Sequence, residues 1–369
     1  MQMVMKRVNQ KSKGDQRMIE QVVLSFANTR LDHLHCTSPS IIGVLDTTDP
    51  LDPTFRLLDS NSQIYFQSVP IENNVFSIVD KLIQIFINKY KNESWKFCHD
   101  TPFVMPDTLR IIYPGKTSHI RRLWRNEKHS SHGIDKKDPP ENHITVTQTG
   151  HLIDELLFDL EVPYILTWGD ETSEASAERV RKENNGNGRI PDCRLRIVMQ
   201  KKQVEIMVIE SCRKGADENK ILNDREKMIR MLKDAYERLE RELINYTTTN
   251  ITSDIEKQFN NIDLFAIQSI GYSKFILFTF NSVNGIFYRL QKFAVVTIPF
   301  SPSQAKNVEN FILTLLKFRL AIDRSATNIA NINENVRKNR KDLYSVISNT
   351  TKHNHILPKY ITPNTPPRS

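Results

Sequence analysis

Two carboxylates, Asp192 and Glu210, lie where a fold could bring them together to do chemistry. Asp192 follows Pro191 and opens a predicted strand over 193–199, and Glu210 closes a second predicted strand over 204–210. If these strands are neighbours in a sheet, their ends bring both carboxylates to one place, and paired carboxylates bind hard cations such as Mg²⁺ through oxygen. A cation held there polarises a phosphoryl oxygen and activates a water molecule. The pair therefore predicts a metal site suited to phosphodiester hydrolysis.

Helices that could position this pair lie on both sides of it in the sequence. Apolar residues at helical spacing predict a helix over 149–160, and a more polar helix is predicted over 172–183. The clearest helix spans about 218–245 and carries one apolar stripe through Ile229 and Leu232. Further strands are predicted at 263–270, 275–281, 285–290 and 292–298, followed by a last helix at 302–323. A long helix between strands is typical of an α/β (α+β) sheet with helical cover.

The motif around the two carboxylates resembles that of the PD-(D/E)XK nuclease superfamily. The resemblance rests on Gly-Arg-Ile-Pro-Asp at 188–192, on Val-Ile-Glu-Ser-Cys at 208–212 and on the element order, and it covers roughly residues 150–300. It implies a restriction-endonuclease-like αβββαβ core with extra C-terminal strands and a helix. The pattern is also similar to that of uncharacterised fungal proteins with a degenerate form of the motif, which carry an Asp-x-x-Lys run like that at 224–227.

The resemblance also implies roles for individual residues. It makes Asp192 and Glu210 catalytic ligands of Mg²⁺. It also makes the predicted polar helix at 172–183 the first core helix, with Glu174 as the additional acid that many members carry there. The lysine that follows the glutamate in the superfamily is replaced here by Cys212. Some members recruit this lysine from the second core helix, which makes Lys227 the candidate substitute.

Helical geometry argues against an easy role for Lys227. At 100° per residue it lies about 160° from Ile229 of the apolar stripe, so it is expected to point away from the sheet. Arg225 points closer to the stripe and could supply positive charge, although a guanidinium is a poor proton shuttle. Lys214 and Lys220, in the segment after the second strand, are further candidates.

Two functions therefore stay open for this domain. One is a metal-dependent nuclease, and the other is a non-catalytic relative, a pseudoenzyme that binds nucleic acid or protein on the same fold. The net charge of +8 fits DNA or RNA as a partner. Basic residues flank the acidic centre and are expected to meet a phosphate backbone. They are Arg179, Arg181, Lys182, Arg189, Arg194 and Arg196. A structural role also stays open, in which Asp192 starts a turn and Glu210 pairs with an arginine.

Composition shifts divide the chain into four parts. We expect a basic flexible N-terminus at 1–17, an N-terminal region of unknown fold at 18–145, the PD-(D/E)XK-like domain at 146–325 and a basic, mostly disordered tail at 326–369. The second part could be a separate domain or an extension of the same fold. Its predicted elements are a helix at 18–35, a strand at 40–45, a helix at 74–91 and a loop at 126–143.

The remaining sequence features exclude other classes of function. The four cysteines lack the short spacings of a disulfide or zinc framework, and the start of the chain lacks the apolar core of a signal peptide. These features favour an intracellular protein, cytoplasmic or nuclear, that does not associate with membranes. The clusters at 32–36 and 98–100 contain zinc-type ligands without the usual internal spacing. No glycine-rich phosphate loop is present.

Overall fold

The computed structural model of the chain describes residues 13–28, 39, 43–49, 52–67, 150–157, 160–169, 171–183, 188–199, 202–213, 215–244, 258–259, 261–271, 274–283, 287–297 and 305–353. Several features expected from the sequence lie outside these residues. They are the helix at 74–91, the loop at 126–143, the zinc-type clusters at 32–36 and 98–100, and Lys214.

A mixed seven-stranded sheet forms the centre of the molecule. Its strands are β1 (Val44–Asp46), β2 (Tyr164–Trp168), β3 (Cys193–Met199), β4 (Lys202–Cys212), β5 (Asp263–Ile270), β6 (Lys274–Val283) and β7 (Phe287–Thr297). They lie in the order β1-β7-β6-β5-β4-β3-β2. The pairs β4–β5 and β1–β7 are parallel, and the other neighbours are antiparallel. The expected α/β (α+β) class is confirmed.

Seven helices are described: α1 (Lys13–Asn28), α2 (Pro53–Arg56), α3 (Ser60–Gln67), α4 (Gly150–Leu157), α5 (Glu174–Glu183), α6 (Glu218–Ile244) and α7 (Ala305–His353). Helices α6 and α7 cover opposite faces of the sheet. On β5, Gln268 donates a side-chain hydrogen bond to the carbonyl of Ile221 in α6, whereas Phe265 packs edge-on against Phe318 of α7. Since side chains alternate between faces along a strand, residues three apart point to opposite sides.

The central strands are buried because helices cover both faces of the sheet. In β4, every residue from Val204 to Cys212 is buried, so the strand lacks the alternation of apolar and polar residues that a one-sided sheet shows. Helix α5 lies beside α6 on one face, and α4 contacts α7 on the other through a hydrogen bond from Arg319 to the carbonyl of Leu156. Two helical layers therefore enclose the strands that carry Asp192 and Glu210.

Strand β2 was not predicted, and it changes which helix comes first in the core. We expected the helix at 172–183 to be the first core helix, but β2 precedes that helix, which is α5. Helix α4 instead precedes the three antiparallel strands β2, β3 and β4, and α5 lies between the first two. The run Tyr164–Trp168 is short and apolar without alternation, a pattern that does not separate a strand from a helix end.

The last helix continues well past its expected end. We predicted its end near residue 323, but α7 runs to His353, and Ile329, Ile332 and Val336 are buried against the core. The expected start of a disordered tail at 326 therefore falls inside this helix. Apolar residues three and four positions apart keep one face of α7 on the protein.

The described part of the N-terminal region extends the same sheet. Strand β1 overlaps the end of the strand predicted at 40–45, extends one residue beyond it and pairs with the edge of β7. A small cluster that includes Val22, Leu45, Phe66 and Phe287 packs α1, α2 and α3 against this edge. Residues 43–49 and 52–67 therefore form an extension of the same fold, one of the two alternatives expected from the sequence. Among the described residues, no helix is long and apolar enough to cross a membrane.

Candidate functional site

The strand register places Asp192 beside Glu210. Strands β3 and β4 are antiparallel, with Cys193 opposite Ile209, so the residue before Cys193 lies next to the residue after Ile209. The backbone N–H of Ser211 donates to Oδ2 of Asp192 over 2.6 Å. The structure therefore brings together the two carboxylates that the sequence singles out.

The turn at the end of β2 fixes the backbone of Asp192. The N–H of Gly169 donates to the carbonyl of Asp192 over 2.7 Å. Gly169 has a φ of 59°, in the left-handed region that residues with a side chain rarely adopt. A glycine after Trp168 therefore lets the chain turn away from β2 while it holds the start of β3.

Lys227 reaches the same place from α6. Its Nζ donates to Oε2 of Glu210 over 2.8 Å and lies at the same distance from Oε1. The expectation from helical geometry, that Lys227 points away from the sheet, is therefore wrong. Helix α5 packs along this flank of α6, where Asp234, about two turns further along, is buried and pairs with Arg179. The part of the α6 circumference that is buried is therefore wider than its apolar stripe. The long side chain of Lys227 reaches from the edge of this buried part to Glu210.

Glu210 is a buried carboxyl group with an unusual electrostatic environment. Its residue is 2% exposed, and its Oε1 has no well-oriented hydrogen-bond donor among the described residues. Burial, followed by the charge of Asp192, raises the pKa of Glu210 to about 8, although Lys227 acts to lower it. At neutral pH the carboxyl group is therefore largely protonated. A shift of this size in a strand-end carboxyl is typical of functional sites.

Cys212, which stands where the resemblance implies a lysine, has a structural partner. It is fully buried, and its Sγ donates to Oδ2 of Asp224 over 2.9 Å. Lys220 donates to the same oxygen over 3.2 Å. In the sequence, Asp224 stood out only as part of the Asp-x-x-Lys run. Its position four residues after Lys220 on a helix was the signal that could have predicted an ion pair between these two side chains. Arg225 lies further away from the carboxylate pair and reaches Asp49.

Glu174 does not join the carboxylate pair. Its Oε2 accepts a hydrogen bond from Arg238 over 2.7 Å, and its backbone N–H donates to Glu205. Glu205 lies five residues before Glu210 on β4, which is roughly 15 Å along a strand. The role of an additional acid near the site, implied by the resemblance, therefore has no support in the position of Glu174.

Most of the flanking basic residues are already neutralised. Arg194 is buried and pairs with Glu205 over 2.9 Å and with Glu171. Arg179 pairs with Asp234 over 2.8 Å. Arg196 and Lys182 have acidic neighbours as well. Buried charges require such partners because desolvation is costly. Arg194 and Arg196, which were expected to meet a phosphate backbone, are therefore buried and paired with carboxylates.

Two carboxylates and one lysine are the chemistry that the site offers. Among the described residues, no group of three or more His, Cys, Asp or Glu side chains is arranged to hold a metal ion. Mg²⁺ keeps several water ligands and is often held by one or two carboxylates together with substrate phosphates. Comparisons with protein-family models, with curated proteins and with solved structures found no match to this chain.

Proposed function

We propose that this chain is a PD-(D/E)XK-like, metal-dependent nuclease that uses Asp192, Glu210 and Lys227. The observation that carries the proposal is the 2.8 Å contact between Lys227 Nζ and Glu210. The contact places the ammonium group of a lysine on α6 beside Glu210, whereas β4 carries Cys212 at the position where the resemblance implies a lysine. The acidic pair and the lysine then come from the start of β3, from β4 and from α6, which packs on one face of the sheet.

The order of elements supports this proposal. From α4 the chain runs helix, strand, strand, strand, helix, strand through β2, β3, β4, α6 and β5, with α5 inserted after β2. The αβββαβ order implied by the resemblance is the same once this insertion is set aside. Because fold alone does not fix function, the weight rests on the site residues.

The donor set fits a hard divalent cation. Asp192 and Glu210 offer carboxylate oxygens, and Oε1 of Glu210 is a buried acceptor without a hydrogen bond among the described residues. Mg²⁺ bound between them would polarise the phosphoryl oxygen and lower the pKa of a water molecule. Glu210 must first release its proton, since its pKa is about 8 and the metal binds the deprotonated form.

Lys227 has two tasks in this proposal. Its ammonium group pairs with the carboxylate of Glu210 once that group has lost its proton, which limits the cost of a buried negative charge. During the reaction it orients the attacking water and offsets the negative charge that develops on the phosphate. It has access to solvent for this, because its side chain is 27% exposed.

The experiment that tests this function compares two lysines on the same helix. Purified protein is incubated with single-stranded DNA, duplex DNA and RNA, with Mg²⁺ or Mn²⁺ and with EDTA. We expect metal-dependent cleavage that Asp192→Asn, Glu210→Gln and Lys227→Ala each reduce at least a hundredfold. Lys220→Ala, whose side chain contacts Asp224, is the matched control and should retain most activity. Equal activity in wild type and Asp192→Asn would refute the proposal.

The second candidate is a non-catalytic module that binds nucleic acid or protein. It is favoured by the pairing of Glu210 with Lys227, since this contact and the raised pKa satisfy the buried carboxyl group without a metal. Under this function no substrate is cleaved above the Asp192→Asn background. Binding of a labelled oligonucleotide that weakens steeply with salt would then identify a nucleic-acid module. Binding that salt leaves unchanged would exclude one.

A further inference from the structure

Arg189 is held on a rigid backbone segment that leads into β3. Its N–H donates to Oγ of Ser176 over 3.0 Å, and its carbonyl accepts a hydrogen bond from the N–H of Ser173 over 2.8 Å. The preceding residue, Gly188, permits this close approach to α5, because a Cβ there would lie 2.9 Å from backbone atoms of Ala177. The base from which the Arg189 side chain extends is therefore fixed.

The guanidinium of Arg189 forms no ion pair with a carboxylate among the described residues, whereas those of Arg179 and Arg194 do. Its Nε is buried and has no hydrogen-bond partner among these residues, as is also true of Nε in Arg194, Arg196 and Arg230. A buried donor without an acceptor costs free energy, and in a native fold it calls for a specific explanation such as a bound ligand.

The surroundings of Arg189 carry charges of both signs and adjoin the candidate site. Burial, together with the charges of Arg230 and Arg179, lowers the pKa of Arg189, whereas Asp234 and Glu210 act to raise it. Glu210 is therefore near enough to influence this guanidinium. Because Asp234 is already paired with Arg179, the half-buried guanidinium of Arg189 is left without an ion pair and can attract an anion.

We propose that Arg189 binds a phosphate group of the nucleic-acid substrate beside the Asp192–Glu210 pair. The identity of the ligand as a phosphodiester rests on the proposed nuclease function. A guanidinium is suited to this task, because its planar fork donates two parallel hydrogen bonds to a phosphate. The two terminal amino groups of the guanidinium are these donors, since Nε is closed off from solvent. Arg189 is then a binding residue that places the substrate strand against the catalytic carboxylates.

Inorganic phosphate is the probe that tests the anion site without requiring cleavage. Phosphate affinity is measured by calorimetry for wild type, Arg189→Gln and the control Arg337→Gln. Arg337 is an exposed residue of α7 that pairs with Glu334. We expect a loss of about tenfold to a hundredfold for Arg189→Gln and no change for Arg337→Gln. Equal affinity in wild type and Arg189→Gln, or no phosphate binding by wild type, overturns the inference.

A second variant protects the test against a folding failure. If circular dichroism shows that Arg189→Gln does not fold, Arg189→Lys takes its place, since it keeps the charge but loses the fork. Its phosphate affinity should fall about threefold or more, because a lysine is a point charge without the two parallel donors. An affinity equal to that of wild type would overturn the assignment of the guanidinium fork as the donor.

Cleavage kinetics separate this inference from the proposed function. In an active protein, Arg189→Gln should raise KM about tenfold and leave metal affinity unchanged, whereas Asp192→Asn removes both metal binding and cleavage. If wild type cleaves but Arg189→Gln has unchanged KM and phosphate affinity, the inference fails and the function stands. If wild type does not cleave but binds phosphate through Arg189, the function fails and the anion site stands.

Discussion

Replacement of Glu210 by glutamine should stabilise the folded protein at neutral pH. The native carboxyl group has a pKa of about 8, raised mainly by burial, against an ordinary value of 4.5. At pH 7 the native state retains a proton that the unfolded chain has released. From the ordinary pKa of 4.5 to pH 7 is about 2.5 pH units. Over this range the proton that only the native state retains lowers the free energy of unfolding by roughly 3 kcal/mol, at about 1.4 kcal/mol per unit. Glutamine keeps the shape of the side chain and does not ionise in either state.

The sign of the pH dependence follows from the raised pKa. Stability from protonated Glu210 is fully present below the ordinary carboxyl pKa of 4.5 and is lost as the pH rises towards about 8. The loss of the contact with Lys227, whose side chain is 27% exposed, offsets up to about 1 kcal/mol of the gain in the variant. The net gain for Glu210→Gln at pH 7 is therefore about 2 kcal/mol.

Urea unfolding at pH 5, 6, 7 and 8 measures this effect directly. The free energy of unfolding of Glu210→Gln minus that of wild type should grow by roughly 1 kcal/mol per pH unit between pH 5 and 7. Glu218→Gln, which removes an exposed carboxylate at the start of α6, is the matched control and should leave the slope unchanged. Parallel curves for wild type and Glu210→Gln would refute the reasoning, since they would mean that the buried carboxyl titrates alike in both states.

Three further outcomes follow from the contacts of the site and its surroundings. The Mn²⁺ affinity of the wild type should rise up to about tenfold per pH unit between pH 6 and 8, with release of close to one proton, because binding requires a deprotonated carboxylate. Calorimetry in two buffers of different ionisation enthalpy measures both the affinity and the proton release, and a pH-independent affinity would contradict the prediction. Addition of Cys212→Lys to the Lys227→Ala variant should restore part of the cleavage, since it places a lysine on β4 on the same face as Glu210. A double variant with as little cleavage as Lys227→Ala would show that a lysine on β4 cannot replace the lysine on α6. Glu205→Ala should lower the free energy of unfolding by about 3–5 kcal/mol, because it leaves Arg194 buried without its main partner. Glu171→Ala removes an exposed partner of the same arginine and should lower the free energy of unfolding by less than about 1 kcal/mol. Similar losses for the two variants in urea unfolding would show that burial of the pair is not decisive.

Local patterns in the sequence located the acidic pair and the elements that carry it. Strands β3 and β4 and helix α6 were predicted within a few residues of their observed bounds, since alternation, turn residues and an apolar stripe are local properties. A carboxylate at the start of one strand and another at the end of the next can meet only if the strands are antiparallel neighbours. The short connection after Met199 made that arrangement the simplest.

Elements without a distinctive local pattern were missed or misjudged. The apolar run of β2 carries no alternation, and only its pairing with β3 identifies it as a strand. The extension of α7 had a signal in the sequence, since Ile329, Ile332 and Val336 recur at helical spacing, but a surplus of charge nearby suggested a tail. Burial against the core is what stabilises such a segment.

Tertiary packing decided which charged side chains belong to the site. The sequence sets the direction of each Cβ on α6 and therefore favoured Arg225 over Lys227. The packing of α5 beside α6 widened the buried part of the α6 circumference, and a flexible lysine then reached Glu210. The same packing drew Glu174 into contact with Arg238, away from the pair. Contacts of long charged side chains depend on which neighbour is within reach, and that distance exists only once the helices and the sheet have assembled.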